Sequence, residues 1–181
     1  RVSPVAIISI ERLGPNSRGV THNAMGEDVT AAHAGVESLL TLARRRGVLT
    51  IGVGDRGNEL GFGSIMTRRS RIASLARPCV CPCRSTITCT VPAEVVVVAS
   101  VSNWGAYAMV AGLAIRLGDA RLLHHPKDET RMLKACVLAG ARDGLSAQRR
   151  LTVDSLPLRM QRTVVALLNR AVARLQAREA N

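Results

Sequence analysis

The sequence predicts an α/β fold: a three-layer sandwich in which a mostly parallel sheet is covered by helices on both faces. Three observations predict it. The runs VSPVAIISI (2–10), VLTIGV (48–53) and AEVVVVASV (93–101) are apolar and β-branched throughout, which is how strands of a parallel sheet buried on both faces are written. Segments of helical period separate and follow them, and strands alternating with helices mean a parallel sheet. Polar groups concentrate directly after each strand, where open parallel sheets place their ligands.

The elements follow in order. The first strand, over 2–10, runs into the polar loop ERLGPNSRGVTHNAMGED. Thr30 is a capping residue for a helix to about Arg46, with Val36, Leu39, Leu40 and Ala43 on one face and Gly47 as its stop. The second strand, 48–53, opens into GDRGNELGFG, and an Arg-rich helix is expected over 64–76. Three prolines and four cysteines erase any period over 78–92. After the third strand, Ser102 or Asn103 caps a helix from Trp104 to Leu117, which Gly118 ends. Leu122 and Leu123 read as a short extended piece. Pro126 opens a helix whose first turn holds Asp128 and Glu129, whose apolar face is Met132, Leu133, Cys136 and Val137, and which Gly140 closes. A loop at 141–153 leads to a last helix over 157–178, with Leu158, Val165, Leu168, Val172 and Leu175 in register. The chain reads as a single domain over 1–181. The lack of an initiator Met and the small number of strands imply that a further N-terminal portion precedes Arg1.

Composition narrows the function. Hydrophobic residues are 47% of 181, enough for a core, so a disordered chain is excluded. The net charge is +12, but nearly all of it is dispersed arginine; Arg44–Arg46, Arg68, Arg69 and Arg71, and Arg149–Arg150 are the clusters. Aromatics are 2%, too few for stacking platforms, so no nucleic-acid partner is expected. No run of about 18 uncharged apolar residues occurs, and no membrane partner is expected; the first residues do not read as a signal peptide. Cys79, Cys81, Cys83 and Cys89 crowd one segment and Cys136 stands apart. Zinc ligands usually pair as C-x2-C or wider, so this C-x-C-x-C spacing is read as reduced, unligated thiols. His22, His33, His124 and His125 show no metal spacing and are read as loop or surface residues.

The chemistry gathers at three strand ends: Glu11-Arg12, Gly54-Asp55-Arg56-Gly57-Asn58-Glu59, and Ser102-Asn103-Trp104-Gly105. Parallel strands put all three on one edge. Asp55 and Glu59 are hard oxygen ligands, beside Asn58, and suit a divalent cation such as Mn or Mg. The loop is no Walker sequence, because no G-K-[ST] follows. Glu11, Asp55 and Glu59 are the catalytic candidates; Asp55 and Glu59 are also the metal candidates. Arg12, Asn58, Ser102, Asn103 and Trp104 are the substrate-binding ones. Each also has an ordinary use: a turn, a helix cap, an ion pair or a core indole.

The motifs ISIERLG (8–14), NAMGEDV (23–29), IGVGDRGNELGFG (51–63), VSNWGAYAM (101–109), AGARDG (139–144) and TVDSLP (152–157) stand in the order seen in the D-glutamate cyclase family, which the chain resembles over nearly its whole length. The family occurs in bacteria and as the C-terminal part of a mitochondrial animal protein. Two departures stand out: Arg56 replaces a family Gly, adding a cation, and Phe62 replaces a family Met. The segment Cys79–Cys89 also diverges.

The resemblance implies a carbon-oxygen lyase that converts D-glutamate to 5-oxo-D-proline and water, a small amino-acid substrate, and a cytoplasmic setting in a bacterium or the mitochondrial matrix in an animal. A homo-oligomer is compatible with it. Asp55, Glu59 and Glu11 are then base, acid or cation ligands, Arg12 pairs with a substrate carboxylate, and Asn58, Ser102 and Asn103 orient the substrate. The alternative is a non-catalytic module binding a small anion or nucleotide through the same glycines and helix N-termini. The carboxylates discriminate, because a phosphate binder has no use for them.

Overall fold

The computed structural model describes residues 3–66 and 77–179. It has the predicted α/β class, with a parallel three-stranded sheet and, among the described residues, four α-helices. The chain forms two compact units, Arg1–Ser102 and Asn103–Asn181.

In the first unit the strands are β1 (Ala6–Ile10), β2 (Leu49–Gly54) and β3 (Val95–Val98), hydrogen-bonded in the order β1-β2-β3 with every pair parallel. Ile10 lies in register with Val53, and Gly54 with Val98. The carboxyl ends of β1 and β2, and the chain leaving β3, therefore share one edge. Helix α1 (Glu37–Arg45) joins β1 to β2, and its Leu40 packs with Leu60 and Cys89 against Ile7. Arg44 and Arg45 fall in its last turn, where the helix dipole favours cations.

Two expectations need correction. Only β2, from Thr50 onward, is buried as a parallel strand should be; Ile8 and Ile10 of β1 are each 48% exposed, and Val95 and Val98 of β3 are exposed as well. The reason is position: β1 and β3 are the edges of the three-stranded sheet. The helix expected from Thr30 is broken as well. Thr30–Ala32 form a single 3-10 turn, and α1 starts only at Glu37, because Gly35 and an extended His33 interrupt it. Thr30 instead accepts, through its hydroxyl, the Thr21 amide at 3.0 Å. The helix expected over 64–76 lies mostly outside the described residues.

Two glycines shape the second strand end. Residues 52 and 54 face one side of β2. A Cβ on Gly52 would lie 2.4 Å from the Leu60 carbonyl oxygen, and one on Gly54 would lie 2.5 Å from the Phe62 ring and 2.7 Å from the Glu59 carboxyl carbon. Absence of side chains at these two places lets the segment 59–62 fold back over its own strand.

In the second unit α2 (Ser102–Leu117, its first residue belonging to the first unit) is followed by α3 (Pro126–Leu138), β4 (Thr152–Val153), β5 (Leu156–Pro157) and α4 (Leu158–Glu179). Ala111, Ala114, Leu123 and Val172 form its core. Gly118 and Gly140 take positive φ just past α2 and α3, the expected stops. Leu122 closes a 3-10 turn rather than an extended piece. The hairpin β4–β5 was not expected. Its two turn residues, Asp154 and Ser155, both have positive φ (49° and 63°), as a tight hairpin turn requires. Asp143 anchors this region: its carboxylate accepts from the amides of Leu145, Ser146 and Ser155 and from the hydroxyls of Ser146 and Thr152. Burial works to raise its pKa, yet those bonds outweigh burial and hold it well below the usual carboxylate range. No helix among the described residues is long and apolar enough to cross a membrane.

Candidate active site

Directly after β1, Glu11 takes φ 51°, a left-handed conformation disfavoured for a side-chain-bearing residue, while its amide donates to the Val53 carbonyl at 3.0 Å. Directly after β2 comes Asp55, and four residues later Glu59. Carboxylate oxygens of Glu11, Asp55 and Glu59 all lie within 4.8 Å of one another. Three negative charges thus meet at the carboxyl edge of the sheet, as the strand order requires. Such a cluster demands a cation, a shared proton or a surrounding set of donors.

Glu59 meets that demand with backbone. It is 1% exposed, and its carboxylate accepts the Asp55 and Arg56 amides at 3.0 Å each and the Gly57 amide at 2.8 Å. The carboxylate thereby ties the loop 55–57 into a ring around itself. Gly57, at φ 90°, completes that turn.

Asp55 is divided between two surroundings. Its Oδ2 accepts from the amide and the hydroxyl of Ser102, both at 3.2 Å. The first amide of α2 is thus taken by the protein's own carboxylate and not left for an external anion. Among the described residues its Oδ1 is buried with no hydrogen-bond donor, and the cation beside it is Arg56, whose Nε is 3.4 Å away. The side chain as a whole is 2% exposed.

Beside Asp55 lies a cavity of about 280 Å³, lined by Asp55, Arg56, Phe62, Met66, Arg77 and Val98 among others. Its walls combine two guanidinium groups with an apolar face. Arg77 is also fixed by a 3.1 Å bond from its guanidinium to the Ala24 carbonyl. Phe62 and Met66 reach the cavity because the chain after Glu59 folds back over Gly54.

The predicted site residues divide accordingly. Glu11, Asp55, Glu59 and Ser102 come together. Asn58 turns the other way: it is 2% exposed and its amide donates to the His22 carbonyl at 2.9 Å. Arg12 donates to the Ala34 carbonyl and lines a separate hollow with Ile7, Leu39 and Leu60. Asn103 and Trp104 belong to the second unit. There the Trp104 indole donates to Gln161 Oε1 at 2.6 Å, and Asn103 bonds to the hydroxyl of Tyr107. That hydroxyl donates to Glu129 at 3.0 Å; burial pushes its pKa up to about 12. Arg77 and Met66 were missed, because nothing near either in the sequence marks a site.

His22, expected as a loop or surface residue, lies in the loop between β1 and α1 but is fully buried. Its Nε2 lies 3.2 Å from Cys81 Sγ and 3.6 Å from Cys83 Sγ. All five cysteines are free of disulfides. Cys89 is buried apart from the other three, and burial pushes its thiol up to about 12, which makes it inert.

Residues 2–169 match the family described as D-glutamate cyclase-like, C-terminal. The human protein named D-glutamate cyclase, mitochondrial, is 33% identical over 113 residues, which is 60% of this chain and 17% of that protein. This chain therefore matches less than a fifth of that relative's length.

Proposed function

This chain belongs to the D-glutamate cyclase-like family, and from that premise we propose that it is a lyase converting D-glutamate to 5-oxo-D-proline and water beside Asp55. The observation that carries the proposal is the divided Asp55 carboxylate, with one oxygen anchored by Ser102 and the other without a hydrogen-bond donor among the described residues, next to a cavity lined by two arginines.

The cavity suits the substrate class. Pockets for drug-sized ligands run to roughly 300–1,000 Å³, so about 280 Å³ favours a small amino acid over a nucleotide. D-Glutamate carries two carboxylates, which Arg56 and Arg77 match in number and sign. Phe62, Met66 and Val98 match its methylenes.

The reaction joins the amine nitrogen to the carbon of the γ-carboxyl group and breaks one of that carbon's bonds to oxygen. The ammonium group loses two protons, and the departing oxygen gains them as water. Asp55 would take a proton from the amine through Oδ1, with Ser102 keeping the carboxylate oriented during the transfer. Glu11, the exposed member of the carboxylate cluster, would pass protons toward the departing oxygen. Arg56 and Arg77 offset negative charge that builds on the γ-carboxyl group. Glu59 holds the loop that positions Asp55 and Arg56.

A divalent cation, Mn²⁺ or Mg²⁺, fits the donor set: three hard carboxylates within 4.8 Å, one with a buried oxygen that lacks a hydrogen-bond donor among the described residues. Glu11, Asp55 and Glu59 would hold it, and it would supply Lewis-acid polarisation of the γ-carboxyl group.

The test is incubation of the protein with D- and with L-glutamate, each with added Mn²⁺, with Mg²⁺ and with neither, following 5-oxoproline by mass spectrometry. The reading expects product from D-glutamate in preference to L-glutamate. No product from either enantiomer under any of these conditions would contradict it.

A further inference from the structure

The four atoms His22 Nε2, Cys79 Sγ, Cys81 Sγ and Cys83 Sγ lie within 4.8 Å of one another. We propose that they form a structural zinc site that locks the loop carrying His22 to the cysteine segment, and through both secures the carboxylate loop.

The distances carry the argument. A tetrahedral zinc, with bonds of about 2.3 Å to sulfur and about 2.0–2.1 Å to nitrogen, puts sulfur atoms about 3.8 Å apart and nitrogen about 3.6 Å from sulfur. Here Cys79 and Cys83 sulfurs are 3.4 Å apart and Cys79 and Cys81 sulfurs 3.7 Å. His22 Nε2 is 3.2 and 3.6 Å from the sulfurs of Cys81 and Cys83. These are edges of the tetrahedron to within a few tenths of an ångström. A disulfide needs about 2.05 Å, so none of these pairs is one.

The surroundings are those of thiolates. The Cys83 amide points at Cys81 Sγ (3.4 Å), the Ser85 amide at Cys79 Sγ (3.3 Å) and the Asn16 side-chain amide at Cys83 Sγ (3.5 Å). Each cysteine sulfur of the group therefore has its own N–H donor, the arrangement that stabilises sulfur bearing negative charge. Arg84, at φ 50°, turns the chain sharply after Cys83 and brings the Ser85 amide back to Cys79. The buried imidazole offers its Nε2 to the sulfurs, while its Nδ1 has no hydrogen-bond partner among the described residues. Soft sulfur with one imidazole selects zinc over Mn²⁺ or Mg²⁺, so this site and the carboxylates call for different metals.

The site joins parts of the chain distant in sequence. Val80 donates to Gly26, and Asn58, next to Glu59, donates to the His22 carbonyl. Arg77, on the cavity wall, begins the cysteine segment. Loss of zinc therefore loosens the Asp55 loop and the wall that faces it.

The experiment purifies the protein without chelators and measures metal by plasma mass spectrometry, then replaces zinc with Co²⁺. The expected result is about one zinc per chain, and a cobalt form with strong thiolate-to-metal absorption and the intense visible bands of a tetrahedral site. Cys136→Ser and Asp55→Asn should keep both; Cys81→Ser should lose both. Stripping the zinc should lower the melting temperature. If Cys81→Ser does not fold, the cobalt spectrum of the unaltered protein decides alone. A weak octahedral cobalt spectrum, zinc retained in full by Cys81→Ser, or a disulfide among Cys79, Cys81 and Cys83 in non-reduced peptides would overturn the proposal.

Discussion

Asp55→Asn is expected to lower 5-oxoproline formation by about 10²–10⁴-fold, the usual worth of a positioned proton acceptor. The asparagine oxygen still accepts from the Ser102 amide and hydroxyl, so the anchor survives. What is lost lies on the other side. The group facing the cavity becomes a neutral amide that cannot take a proton from the amine, and Arg56 loses its ion-pair partner. One negative charge also leaves a cluster of three, which relieves repulsion. The melting temperature should therefore move by no more than a few degrees. Turnover and thermal unfolding measured on one preparation check both halves. Undiminished turnover in the variant would remove Asp55 from the chemistry.

Glu59→Ala should have the largest effect on stability, about 3–5 kcal/mol by denaturant unfolding. The side chain is 1% exposed and receives three backbone N–H groups, from Asp55, Arg56 and Gly57. Its removal strands all three donors and leaves a void against Gly54, which is bare because the carboxylate occupies that space. Glu59→Gln should fall between, because one amide oxygen still accepts while the amide nitrogen meets a donor. Both variants should lose activity, since the loop holding Asp55 and Arg56 is what Glu59 organises. A loss under about 1 kcal/mol for the alanine variant would show that the loop holds itself by other means.

The two variants separate roles that sequence leaves merged. Asp55 and Glu59 are both carboxylates in one glycine-rich loop, and their place on one edge with Glu11 follows from parallel strands. Their division into a residue facing the cavity and a residue holding the loop depends on hydrogen bonds that no spacing rule encodes. Asn58 illustrates the same limit. It sits between site residues, yet the turn at Gly57 sends its side chain toward His22. Arg77 reaches the cavity from beyond Met66, a neighbourhood that only tertiary folding creates.

The strands were legible because continuous β-branched runs have no other use in a chain of this composition. Their burial was not, because it depends on strand order, and β1 and β3 are edges. The hairpin β4–β5 was hidden because Asp154-Ser155 supplies a positive-φ turn without glycine. The histidine–cysteine group was hidden because spacing rules search for pairs along the chain. His22 joins Cys81 from 59 residues away, and an extended reading of C-x-C-x-C conceals the turn at Arg84 that folds the sulfurs together.

In the proposed function the chemistry occurs beside Asp55, at the carboxyl edge of the sheet. Crystals of the full protein soaked with 5-oxo-D-proline test it most directly. Density for the lactam is expected in the cavity of about 280 Å³, its ring nitrogen toward Asp55 and its carboxylate on Arg56 or Arg77. Product bound elsewhere, with this cavity empty at the same concentration, would contradict it.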